Sequence, residues 1–313
     1  ACGGGGSSAI DSEQQSVSTP DNSNGLDSCS PDCFLSKSDV EQVIGQAVSE
    51  AAARNVDATI AIVDRVGNVL GVYQMSGSEP FVTITSTAEL GGPVVGGLEN
   101  LNFIPATLAA VSKAITGAYL STTGNAFTTR TASQIVQENF NPGERDVPSG
   151  PLFGVQFSQL PCSDFSTRFT SGLGPGPRRA PLGLSADPGG MPLYLDGMAV
   201  GGVGVIADGI YGLDKNIGDF DNDLDEIIAT AATVGYAAPL DIRADQITIV
   251  GKTARFSDSF VEDLVSTPSD FTSLAELEAS GTGSLVAVPG YYAGSSTIEG
   301  TIFGTSPSGI RPA

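Results

Sequence analysis

Thr59-Ile60-Ala61-Ile62-Val63-Asp64-Arg65-Val66-Gly67-Asn68-Val69-Leu70-Gly71-Val72-Tyr73-Gln74-Met75 is the stretch that decides the fold. Two β-rich runs, 59–64 and 68–75, flank Arg65-Val66-Gly67, and the glycine stands where a hairpin turn needs positive φ. Strands joined this tightly can only pair antiparallel. Two further segments repeat the pattern: 192–195 and 200–206 flank Asp196-Gly197, and 246–250 and 253–256 flank Gly251-Lys252. Gly201, Gly202 and Gly204 leave one of these strands almost without side chains, which predicts close approach by a helix or a ligand.

Helical periodicity fills the spaces between the hairpins. Ser38-Asp39-Val40-Glu41 reads as a capping box, and Val40, Val43, Ile44, Ala47, Val48 and Ala51 recur at helical spacing, so a helix is expected over 38–53. Two more are expected over 105–120 and 128–139, joined by the polar turn 121–125. A fourth opens at Asp223-Leu224-Asp225-Glu226 and ends near Gly235. Residues 76–105 read as a long loop, 141–190 as a Gly/Pro-rich insertion, and 284–288 and 297–303 as two further strands. The expected fold is α+β: a mostly antiparallel sheet built from hairpins, packed by helices and interrupted by long Gly/Pro-rich loops. Its parts are a flexible N-terminal arm or tether at 1–35, an α+β domain at 36–256 carrying the insertion 141–190, and a C-terminal β-rich extension at 257–313.

Composition then narrows the chemistry. The 313 residues include no histidine and no tryptophan, with 35 acidic against 14 basic side chains and a net charge of −21. Without imidazole there is no Ser-His-Asp or Cys-His pair and no histidine-rich metal site. The negative charge repels phosphate backbones, and no basic cluster exceeds Arg178-Arg179, so nucleic acid is not an expected partner. A 40% apolar content is enough to fill a core. No apolar run reaches the roughly 18 residues of a membrane span.

Ala1-Cys2 followed by a Gly/Ser-rich stretch has the look of a lipoprotein processing site, which predicts a membrane tether through Cys2 and an extracytoplasmic location, secreted or at the cell surface. Cys29, Cys33 and Cys162 are disulfide candidates, with the pairing open and buried free thiols as the alternative.

Ala61 through Leu70, followed by Gln74-Met75-Ser76-Gly77, resembles the opening signature of the GlcG/HbpS-like haem-binding family. Ser112-Lys113-Ala114, the 189–197 stretch with 201–205, and Asp225-Glu226 add to the likeness, which covers about 36–256 in the longer secreted form of the family. The resemblance implies an antiparallel sheet flanked by helices and homo-oligomerisation, with haem or corrinoid bound by some members. A histidine ligand is impossible in this chain, and 1–35, 141–190 and 257–313 fall outside the compact family core. Were haem bound, the axial candidates would be Met75, Met191, Met198, a tyrosine such as Tyr73 or Tyr119, or the hydroxyl of Thr128 or Thr129, with Lys113 and Arg130 for the propionates. The plain alternative is that the methionines fill core gaps and Lys113 tops a helix.

Asp219, Asp221, Asp223 and Asp225 alternate oxygen ligands as a calcium loop does, although the EF-hand glycine and closing glutamate are missing. Otherwise Asp223 or Asp225 caps a helix and the rest are solvated. No carboxylate pair, phosphate loop or nucleophile elbow stands out, so an enzyme is not expected. Two roles follow: a non-catalytic extracytoplasmic binder of a small ligand such as haem, or a structural subunit that joins copies of itself into a homopolymeric filament through its N-terminal arm.

Overall fold

In the computed structural model the described residues are 33–85, 98–136, 180–214, 216–249 and 252–305, and helices flank both faces of an antiparallel sheet among them. Helix α1 (Lys37–Ala53) begins one residue earlier than its sequence suggests. Ser36, not Ser38, is the N-cap: its side chain accepts from the Asp39 amide while the Asp39 carboxylate accepts from the Ser36 amide.

The first hairpin forms as expected. Strand β1 (Thr59–Asp64) pairs antiparallel with β2 (Val69–Met75), and Gly67 takes φ +78°. Buried Asp64 holds the turn, its Oδ1 accepting from the Val66 and Asn68 amides at 3.0 and 2.8 Å. The second hairpin joins β5 (Gly190–Leu195) to β6 (Met198–Ile206) through Asp196 and Gly197, both with positive φ. Strand β6 lies against β1, and β10 (Gly283–Leu285) adds to β2, giving the order β10-β2-β1-β6-β5 with every neighbour antiparallel.

As the centre strand, β1 is buried on both faces. Ile60 and Ile62 point to one core with α1 and α4 (Leu224–Ala232), whereas Ala61 and Val63 point to a second core with α2 (Ala106–Tyr119). Each such large aliphatic side chain contributes about 1.5–3 kcal/mol through burial. Two of the β6 glycines belong to the helix, not to a ligand: a Cβ on Gly202 would stand 2.2 Å from the Ala114 carbonyl oxygen, and one on Gly204 2.1 Å from that of Ala110, whereas one on Gly201 would meet the Val63 carbonyl oxygen of β1 at 2.1 Å. Helix α2 therefore lies directly on strand backbone.

Several expectations need correction. The 76–105 stretch contains β3 (Phe81–Ile84) and β4 (Ile104–Pro105), which pair antiparallel, while β3 runs parallel to β7 (Ile210–Tyr211). Runs of two to four residues carry too little periodicity to register as strands. The third hairpin shrinks to two pairs between β8 (Thr248–Ile249) and β9 (Lys252–Thr253). Residues 297–303 form no ladder; single hydrogen bonds from Ile298 to the Leu70 carbonyl and from Gly300 to that of Leu35 lay them across the body. Helix α3 (Thr129–Val136) is described to 136, and the insertion at 141–190 lies outside the described residues as far as 179.

Residues 257–305 are woven into the same body. Beyond β10, α5 (Leu274–Ala279) buries Leu274 and Leu277 in the first core, and Glu50 of α1 accepts from the Val265 and Ser266 amides. The outer edge of β5 is partly covered, the Tyr194 amide donating to the Tyr236 carbonyl. Among the described residues no helix is long and apolar enough to cross a membrane.

Candidate functional site

Two buried cations organise the acidic half of the molecule. Lys113, carried by α2, is 0% exposed. Its ammonium group has three protons and three acceptors: Asp187 Oδ2 and Asp225 Oδ2, each at 2.5 Å, and the Val205 carbonyl at 2.9 Å. The far oxygens are held as well. Asp225 Oδ1 accepts from the Ala207 and Asp208 amides at 2.6 and 3.3 Å, and Asp187 Oδ1 from the Gly212 amide at 2.8 Å. Burial pushes Asp187 up to about 6 against the pull of Lys113, and pushes Asp225 and Asp208 in the same direction.

Arg130, on α3, is 1% exposed. Its guanidinium grips Glu226 with two parallel bonds, Nε to Oε1 at 3.0 Å and Nη2 to Oε2 at 3.2 Å. Nη1 meets Asp221, Asp214 and Asp258 at 2.8, 3.0 and 3.1 Å. Burial raises Glu226 to about 7 and also raises Asp214, with Arg130 opposing both. Arg255 closes the rim, paired with Asp258 and stacked 4.3 Å from the centre of the Phe220 ring.

This arrangement removes the roles the sequence offered. Lys113 and Arg130 are not open to propionates: each is enclosed by carboxylates that would repel another anion. Met75 is buried with its sulfur accepting from the Ala58 amide at 3.3 Å. The Thr128 hydroxyl donates to the Phe256 carbonyl at 2.5 Å, and the Thr129 hydroxyl accepts from the Gly190 amide at 2.9 Å. The Tyr119 hydroxyl donates to the Val66 carbonyl at 2.8 Å, Tyr73 is fully buried, and Met198 is half-buried at the Asp196-Gly197 turn. Met191 is a thioether with no imidazole, thiolate or phenolate among the described residues that line its cavity, which matches no usual haem ligation. The described residues do not fit haem.

The calcium loop is also not assembled. Asp223 is the N-cap of α4, its Oδ1 accepting from the Glu226 amide at 2.8 Å, and Asp225 belongs to Lys113. Asp219 and Asp221 converge instead with Asp214, carboxylate oxygens lying within 4.8 Å of one another. Arg130 already supplies positive charge to two of those three. Cys33 is half-buried against the first core; Cys2, Cys29 and Cys162 lie outside the described residues, and with them the tether and the other two disulfide candidates.

Sequence reasoning missed a cavity of about 370 Å³ to which neither buried cation contributes. It opens between the C-terminal end of α4 and the segments 237–245 and 256–262, with Met191, Thr230, Ala238, Arg243 and Phe256 in its wall. The Arg243 guanidinium lies 4.9 Å from the centre of the Phe256 ring, and its Nε donates to the Ala238 carbonyl. Leu240 and Phe260, 70% and 50% exposed, form an apolar rim with Val261. These residues come from irregular segments, where no periodicity marks a shared face. A second cleft of about 280 Å³ is acidic, lined by Asp187, Asp208, Asp214, Asp219, Asp221 and Asp223.

No family model and no curated protein matches the chain. Solved structures similar to part of it include the following two. The crystal structure of a PduOC:heme complex aligns with 65% of this chain and 95% of its own at 18% identity and a TM-score of 0.37. The Klebsiella pneumoniae protein ORFY, of family model DUF336, aligns with 67% of this chain and 94% of its own at 16% identity and a TM-score of 0.35.

Proposed function

We propose that this chain is a non-catalytic binding protein that takes a small amphipathic molecule in the cavity beside α4. The observation that carries this reading is the cavity itself: a concave wall in which apolar side chains alternate with hydroxyl and charged groups, ringed by Leu240, Phe260 and Val261, large apolar side chains left in water. Arg243 offers a cation to an anionic or aromatic end of the ligand, and Asp245 and Glu262 set its polar margin. The extracytoplasmic setting expected from the Cys-bearing, Gly/Ser-rich arm stays part of the proposal. No observation on the described residues favours the filament role.

Anilinonaphthalene sulfonate, an aromatic anion that fluoresces when desolvated, is the probe. Saturable binding to the native protein is expected, weakened at least about tenfold, or 1.4 kcal/mol, in Ala237→Trp, which fills the cavity from an exposed rim position. Binding that is absent, or unchanged by that substitution, would overturn the reading.

A further inference from the structure

The geometry points to a covalent amide between Lys113 and Asp225, formed by the folded chain on itself, with Asp187 as the proton carrier. Three features that such a condensation needs meet at one place. The nucleophile is a fully buried lysine whose Nζ is 2.5 Å from Asp225 Oδ2, so it is close to the roughly 3–3.5 Å from the carboxyl carbon at which attack begins. The electrophile is polarised: Asp225 Oδ1, which takes up negative charge when the carbon becomes tetrahedral, already accepts from the Ala207 and Asp208 amides. A second carboxylate, Asp187 Oδ2, touches the same nitrogen at 2.5 Å and is fixed on its other side by the Gly212 amide.

The step balances without any co-reactant. The Nζ–Cγ bond forms and the Cγ–Oδ2 bond breaks. Two protons leave Nζ, are relayed by Asp187, and depart on Oδ2 as one molecule of water. Nothing is oxidised or reduced, and Asp187 returns to its starting state. The acidic cleft, which Asp187 and Asp208 line, is a path for the water. Burial raises Asp187 to about 6, near the neutral range in which a carboxyl group both takes and gives a proton. The driving force is the removal of charge from a dry site: the ammonium and the Asp225 carboxylate both disappear, and Asp187, left without its counterion once the step is complete, takes up one proton from solvent through the acidic cleft that it lines. This is a single self-directed event, distinct from turnover of a substrate, and it ties α2 to α4 across 112 residues of chain.

Mass spectrometry of the full chain, denatured, reduced and alkylated, decides the matter. The native protein is expected to weigh about 18 Da less than its sequence with the alkylated cysteines counted, the mass of one water. After proteolysis the peptide containing Lys113 should be found joined to the peptide containing Asp225, with no tryptic cleavage after residue 113. Lys113→Arg, which keeps the charge and cannot form this amide, should have the full sequence mass, and Asp187→Asn should be largely uncondensed. A native chain at full mass, cut normally after Lys113, would overturn the proposal even if neither variant folds. A water loss mapped to any other pair would overturn it equally. Condensation in Asp187→Asn as complete as in the native chain would remove Asp187 from the reaction.

Discussion

Replacing Arg130 with methionine tests the physical core of this structure. The substitution keeps most of the side-chain volume but takes the guanidinium away from Glu226, Asp214, Asp221 and Asp258, three of which are buried. Breaking a buried pair from one side leaves unpaired charge in a poorly solvated site and costs about 3–5 kcal/mol. For a protein of this size each kcal/mol lowers the unfolding midpoint by about 2–4 °C, so a loss of roughly 6–20 °C is expected at pH 7.5. The loss should shrink on acidification. Glu226, at about 7, and Asp214 already hold protons more tightly than ordinary carboxylates, and removing Arg130 strengthens that tendency. By pH 5 Glu226 is neutral in the folded variant, and at least about 1 kcal/mol of the deficit should return. Adding Glu226→Gln should likewise recover part of it at pH 7.5. Urea and thermal unfolding followed by circular dichroism measure all three. A cost below about 1 kcal/mol, equal at both pH values, would refute the reasoning.

The unmodified protein should itself be more stable in mild acid. Asp187 at about 6 and Glu226 at about 7 lie above their unfolded values, so their contribution is present below about pH 4 and is lost as pH rises through 6–7; calorimetry should find a higher midpoint at pH 5 than at pH 8. Gly204→Ala drives a methyl into the α2 backbone and should cost at least about 1–3 kcal/mol in urea unfolding, more than a core cavity of one methyl would. Tyr73→Phe removes a buried hydroxyl with no hydrogen-bond partner among the described residues, so stability should be unchanged or higher by up to about 1 kcal/mol. Asp223→Ala deletes the α4 cap and should cost about 0.5–2 kcal/mol by the same assay.

What could be read from the sequence was local. Gly67 and Gly197 mark two hairpins because each turn demands a backbone that other residues resist, and the side chains beside them alternate across a sheet buried on both faces. The bare stretch of β6 signalled close approach, but two identities fitted it, and only the position of α2 chooses the helix. Lys113 and Arg130 stood out as candidates for the wrong reason. Their partners lie 74 to 128 residues away in sequence, and a run of aspartates gives no sign of which will cap a helix, which will meet a lysine and which will remain in water. The cavity was illegible for a related cause: Arg243 forms an isolated bridge between two short 3₁₀ segments, and Phe256 and Phe260 lie on irregular chain, with no repeat to connect them.

The account stands on the claim that Lys113 and Arg130 are engaged by the chain's own carboxylates and not by a ligand, and that the binding surface is the cavity beside α4. A titration with hemin, followed by visible absorption, puts both halves of that claim at risk at once. The expected spectrum is broad and free of the bands of axially ligated iron, unchanged by Met75→Leu, and any bound hemin should be displaced by anilinonaphthalene sulfonate. A sharp ligated spectrum that disappears in Met75→Leu or Lys113→Met would contradict it.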